Sequence, residues 1–197
     1  MTKHLLYIPL LLLAFTYTSC KKVSEDIQRD AIITDSVDFE IPILSEIDSA
    51  YTLSDVKLPL NPGAAISAQL PDFNESNIKS IKLTKMSLGL FLFKGAKDKD
   101  SIDVINNFGN FQSIRFTIPG TPAVGSSTAS PLLIASAIIN STSVSGALSM
   151  TPDTELELKP YVGANAANST VTIRTRKVTN KAVKVRVRAS FTVTVSK

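Results

Sequence analysis

From Val183 to Val195 the chain alternates without a break. Val183, Val185, Val187, Ala189, Phe191, Val193 and Val195 are apolar, while Lys184, Arg186, Arg188, Ser190, Thr192 and Thr194 between them are polar. A period of two places the first set on one side of a β-strand and the second set on the other. A slip of one residue would bury two arginines and a lysine, so the register of this strand is strongly specified. Its apolar side needs a second layer to cover it.

Upstream, Val171 and Ile173 alternate with Thr172, Arg174 and Arg176. A three-residue connection, Thr179-Asn180-Lys181, predicts a hairpin with Val171 and Ile173 opposite Ala189 and Val187. The same register sets Arg174 and Arg176 opposite Arg186 and Lys184. Like charges directly across a ladder repel. A face built from Arg174, Arg176, Lys184, Arg186 and Arg188 therefore calls for acidic company. One source is internal, with Asp38 and Glu40, or Glu155 and Glu157, on a neighbouring strand. The other is a ligand: an anionic glycan, a phosphate or a membrane surface. This basic face is the candidate ligand-binding site.

Charge is segregated along the chain. Residues 20–75 carry four basic and eleven acidic side chains, a net of −7, and residues 76–197 carry a net of +10. Such asymmetry signals an anionic partner or an acidic segment folding against a basic one, and within one domain the second is favoured. The acidic part includes Val37, Phe39, Ile41 and Ile43 alternating with Asp38, Glu40 and Pro42. Pro42 cannot donate to a ladder, which places this strand at a sheet edge. Further runs follow at 51–60, 81–93, 114–118 and 132–139, with a strand or short helical turn at 155–162. In the second of these runs the apolar phase changes from odd to even near Thr84-Lys85, as a β-bulge requires. Residues 64–78 fit a loop or short helix, and 94–103 a charged turn. The expectation is all-β: one antiparallel β-sandwich domain over residues 36–197.

The N-terminus is different in kind. Lys3 supplies a positive start, residues 5–15 are apolar, and small or polar residues lead to Cys20. That order is a secretory signal spanning 1–19, and its apolar run is shorter than the roughly 20 residues of a membrane-spanning helix. Thr18-Ser19-Cys20 resembles a lipobox, with Tyr17 where a leucine is usual. The expectation is acylation of Cys20, anchorage to a membrane through the acyl chains, and a flexible tether over residues 20–35.

Loss of residues 1–19 also removes His4, the only histidine, and acylation consumes the only cysteine; the chain has no tryptophan. Ser-His-Asp and Cys-His catalysis and the usual zinc sites then lack their residues. No metal or other cofactor is expected. Asp153, Glu155 and Glu157 are spaced as one solvated strand face rather than as a glycosidase pair across a cleft. Asp98, Asp100 and Asp103 fail the EF-hand pattern, which wants a ligand at Ile102 and a glycine at Asp103. Two S-x-x-K matches, at Ser54 and Ser76, have no accompanying motif. The basic stripe lacks interleaved aromatics, so no nucleic-acid partner is expected.

Several stretches resemble those of small Bacteroidota lipoproteins: IKSIKLTKMSLGL at 78–90, FGNFQSIRFTI at 108–118, LLIASA at 132–137, LELKPYV at 156–162 and VRVRASFTVTV at 185–195. The resemblance implies a β-sandwich without known catalysis, in the cell envelope and at the outer membrane. Ser24-Glu25-Asp26 is similar to the acidic cluster of surface-exported members, and Lys21-Lys22 depart from it, so the periplasmic and surface faces both stay open. Asp35-Ser36-Val37, Asp48-Ser49-Ala50 and Asp100-Ser101-Ile102 resemble that group's O-glycosylation pattern. The leading expectation is a non-enzymatic binding module for an envelope protein, glycan or anionic surface. A structural adhesin or pilus-like subunit assembling by strand exchange is the alternative, and a carbohydrate-active enzyme the third.

Acylation is directly testable. Wild-type protein is expected to incorporate labelled palmitate and to stay with membranes through a high-salt wash, and Cys20→Ala to do neither; a Cys20→Ala protein that stayed bound through the wash would contradict the anchor.

Overall fold

The C-terminal alternating run is strand β8 (Val183–Ser196), lying inside a sheet between β1 (Gln28–Ile41) and β3 (Ile78–Phe91). The computed structural model describes residues 27–58, 60–91, 106–120, 130–162 and 168–197. The leader, Cys20, the charged turn at 94–103 and the Asp100-Ser101-Ile102 match lie outside the described residues.

Five further strands complete the fold: β2 (Ala50–Lys57), β4 (Phe111–Ile118), β5 (Leu132–Ile138), β6 (Ala147–Pro152) and β7 (Asn168–Thr175). The order is β1-β8-β3-β6-β5-β4-β7-β2, and each pairing is antiparallel. Strand β6 turns the corner. Its first half pairs with β3, and Thr151 and Pro152 pair with Ser136 and Ala135 of β5. The sheet thus folds into two layers, β1-β8-β3-β6 over β2-β7-β4-β5, the strand order of a jelly roll. The expected all-β antiparallel sandwich is the observed fold.

Odd positions of β8 and β1 and, beyond its bulge, even positions of β3 face the other layer. Val185, Val187, Phe191 and Val193 meet Ile114, Phe116, Val171 and Ile173, all essentially inaccessible to water. Phe39 of β1 reaches across to Phe116 of β4 edge to face, with ring centroids 6.1 Å apart. The phase change in β3 is a bulge: pairing with β8 jumps from Leu83 to Lys85, and the Thr84 hydroxyl donates to the Ser190 carbonyl at 2.9 Å.

Two expectations require correction. Strands β7 and β8 form no hairpin; β7 pairs with β2 and β4 in the other layer, and Val171 and Ile173 lie beside Phe116 and Ile114. The connection is held by other loops. Arg176 and Lys177 N–H donate to the Asn110 carbonyl, Thr179 N–H donates to the Leu44 carbonyl, and Leu44 N–H donates to the Thr179 hydroxyl. Those bonds replace the local ones a tight turn would make. The tether boundary at residue 35 also moves, because β1 begins at Gln28 with Ala31 and Ile33 already buried against the core.

The ambiguous 64–78 segment contains one helix, α1 (Pro62–Gln69), and a single 3-10 turn, Glu75–Asn77. Pro62 opens α1 where its missing N–H costs nothing, and Ile66 is its buried anchor. No helix among the described residues is long and apolar enough to cross a membrane.

Candidate functional site

The acidic and basic halves of the chain meet on one sheet. Strand β1 places Glu40 opposite Lys184, Asp38 opposite Arg186 and Ser36 opposite Arg188. Even positions of both strands face solvent. The Asp38 carboxylate accepts two hydrogen bonds from Arg186, from Nε at 2.7 Å and Nη2 at 2.8 Å. Those bonds hold the Asp38 carboxyl below its ordinary range, with the Arg186 and Lys184 charges adding to the effect. The internal acidic counterpart expected for β8 is therefore present for Arg186.

The five basic residues do not share a face. Lys184, Arg186 and Arg188 stand on the outer side of the β8 layer, and Arg174 on the outer side of the other layer, where its ladder neighbours are Ala50 and Ser113. Arg176 lies past the end of β7 and serves the fold. Its guanidinium donates to the carbonyls of Gly109 (3.0 Å), Ser141 (3.2 Å) and Ile139, which ties three loops to one end of the sandwich. The separation follows from the missing hairpin: strands in different layers turn their polar sides in opposite directions.

Beside Arg186 and Arg188 the surface sinks. Two adjoining depressions of about 420 and 400 Å³ run along β3 between β8 and β6, and both are lined by Ser87, Ser149 and Arg188. The ladders explain the trough. Arg188 neighbours Ser87, which neighbours Ser149; Arg186 neighbours Gly89, which neighbours Ala147. Short side chains on β3 and β6 thus form a low floor beside long ones on β8. A Cβ at Gly89 would meet nothing within 4 Å. Toward the bulge the lining adds Thr84, Lys85 and Ser190. Among the described residues, no carboxylate lines either depression. Arg188 and Lys85 are exposed and make no hydrogen bond or ion pair among the described residues.

These small residues have a signal in the sequence that is easy to miss. After the bulge, Ser87 and Gly89 occupy the outward phase of β3 between Met86, Leu88 and Leu90. Their meeting with Ser149 and Ala147 depends on the β3–β6 pairing, which alternation does not encode.

The C-terminal carboxylates sit in a turn rather than a strand, followed by the 3-10 turn Lys159–Tyr161. Glu155 pairs loosely with Lys82 at 3.7 Å. Glu157 accepts from the Ser80 hydroxyl (2.5 Å) and from the N–H groups of Ile81 and Lys159 (both 2.8 Å). Partial burial pushes the Glu157 carboxyl up, but these hydrogen bonds and the Lys82 charge outweigh it and hold it below its ordinary value. Its work is to fasten the β6–β7 connection to β3. Among the described residues, no group of three or more His, Cys, Asp or Glu is arranged to hold a metal. Of the Asp-Ser matches, Ser36 is exposed within β1 beside Arg188, and the Ser49 hydroxyl donates to Glu46 at 2.9 Å.

No protein-family model matches the chain, and no curated protein does. Among solved structures it is similar to a desmodium yellow mottle tymovirus protein at 6% identity and TM-score 0.30, covering 86% of this chain and 90% of that one. It is also similar to the 60-mer BFDV capsid protein at 9% identity and TM-score 0.29, covering 86% and 95%.

Glu157 gives a pH prediction. A carboxylate whose folded pKa is depressed stabilises the fold above its unfolded pKa, and that contribution is lost as pH falls through the folded value. Glu157→Gln is expected to cost about 1 kcal/mol at pH 7, the low end for bonds to a partly solvated charge. The difference from wild type should shrink below the ordinary carboxylate range in urea titrations. A difference independent of pH would contradict this role.

Proposed function

We propose that this is a non-enzymatic lipoprotein of the cell envelope, anchored at the outer membrane through acylated Cys20, whose domain binds an anionic partner on the outer side of the β8 layer. The supporting observation is the mismatch on that side: Arg188 and Lys85 stand exposed among hydroxyls, with no carboxylate among the described residues that line the adjoining trough. A solvated cation is common on any surface. Two cations converging on a concave, acid-free floor form an arrangement that an anion completes.

The rival readings draw less support. Strand exchange needs an open edge, and both edges carry devices that discourage added strands. On β1, the exposed Asp35 puts a charge on the edge, its carboxylate accepting from the Ser36 N–H at 2.7 Å, and Gln69 of α1 donates to the Ile32 carbonyl at 3.1 Å. On β2, pairing skips from Leu53 to Val56, and Asp55 adopts φ 60°, so the edge is bulged. A glycosidase needs two carboxylates facing each other across a cleft. Here Glu155 and Glu157 lie along one turn, and Glu157 is bound to the backbone.

Retention on isolated cell envelopes tests the reading. A non-acylated form, lacking residues 1–19 and carrying Cys20→Ala, should be retained at physiological salt and released as salt rises. Replacing Lys184, Arg186 and Arg188 together by glutamine should abolish retention, whereas Arg115→Gln with Arg174→Gln, on the other layer, should not. Equal retention of all three proteins would overturn it.

A further inference from the structure

We infer that the trough along β3 is a binding site for a linear acidic polysaccharide, a chain of sugars bearing carboxylate groups. The inference rests on the proposed anionic partner and goes further, in naming the ligand class and its seat. Three features carry it.

The first is shape. The two depressions share Ser87, Ser149 and Arg188 in their linings, so they form one open path along the strand direction, suited to a chain passing through. The second is chemistry. Arg188 and Lys85 supply cations at the trough, and Ser87 and Ser149 supply hydroxyls that donate and accept, while the Thr84 hydroxyl is given to the Ser190 carbonyl and the Ser190 hydroxyl bonds to that of Thr34. An arginine offers a carboxylate a planar, two-pronged donor, and Arg186 beside it already holds Asp38 in that manner. Between these groups the floor is low, at Gly89 and Ala147, and leaves room for a sugar ring. Among the described residues no aromatic side chain lines the path to stack on a neutral glycan, so charge is the main source of affinity.

The third is what the trough lacks. Protein partners are held chiefly by buried aromatic and apolar anchors, and none of the exposed large hydrophobic residues, such as Ile32, Ile43 or Ile138, lines it. A bilayer surface is a poor fit to a concave seat.

Gly89 provides a test that leaves every charge in place. A Cβ at this position meets nothing within 4 Å, so Gly89→Phe can set a ring over the trough floor. Ser149→Phe blocks the same path from β6. The probe is polygalacturonate, with dextran as the neutral control and phosphatidylglycerol vesicles as the anionic surface, titrated with the non-acylated protein (residues 20–197 with Cys20→Ala).

Wild-type protein should bind polygalacturonate but not dextran, Arg188→Gln should weaken binding at least tenfold, and both trough-filling variants should do the same with unchanged thermal midpoints. If the filled variants bind as wild type while the Lys184/Arg186/Arg188 triple variant loses binding, the anionic face stands and the trough falls. If vesicles bind and the polysaccharide does not, the ligand class is wrong. If the triple variant binds polygalacturonate as wild type, the anionic face falls as well.

Discussion

The ladder between β1 and β8 is the constraint on which the rest of this structure depends. It joins the first described strand to the last along fourteen residues of each. On its inner side it presents Ala31, Ile33, Val37, Phe39 and Ile41 beside Val193, Phe191, Val187, Val185 and Val183, which is half of one wall of the core. On its outer side it sets Asp38 and Glu40 against Arg186 and Lys184. One register satisfies both sides, and a slip of one residue would fail both. Because β1 is an edge strand, β8 is covered on both flanks, and β3 can carry the ladder on toward the corner at β6.

Much of this was legible in the residues. Alternation at 183–195 located β8 and its inner side, and the phase change at Thr84-Lys85 located the bulge; β1 is the edge strand expected, although Pro42 lies one residue past its end and takes no part in the ladder. The segregation of charge along the chain corresponds to acidic β1 beside basic β8. Partner choice was not legible. The hairpin between β7 and β8 failed because period-two patterning states which side of a strand is apolar and is silent on which strand lies next to it. The deciding bonds come from Asn110 and Leu44, far away in sequence. With the hairpin went the five-residue basic face. Arg176, which reads as surface charge, spans the carbonyls of Gly109, Ser141 and Ile139 at one end of the sandwich.

The candidate site shows the same division. Arg186 and Arg188 could be read as outward-facing from alternation alone, but whether a carboxylate meets them could not. The ladder gives Arg186 an aspartate and Arg188 two serines, Ser36 and Ser87. That difference turns a repetitive basic stripe into one charge committed to the fold and one available at a trough. The trough itself is made by what is missing, since Gly89 and Ala147 next to Arg186 lower the floor while the arginine stands above it. A jelly roll frames many unrelated functions, so the functional argument belongs to these side chains and not to the architecture.

The central claim, that the acidic first strand is held in register by the basic last one, is most directly tested by exchanging charges between Asp38 and Arg186. The thermal midpoints of Asp38→Arg, Arg186→Asp and the double exchange should be measured at low salt, where exposed charges are least screened. Each single reversal places like charges opposite each other and should lower the midpoint, and the double exchange should recover most of the loss. A double exchange no more stable than the two single losses combined would mean that these residues do not face each other, and would contradict the register.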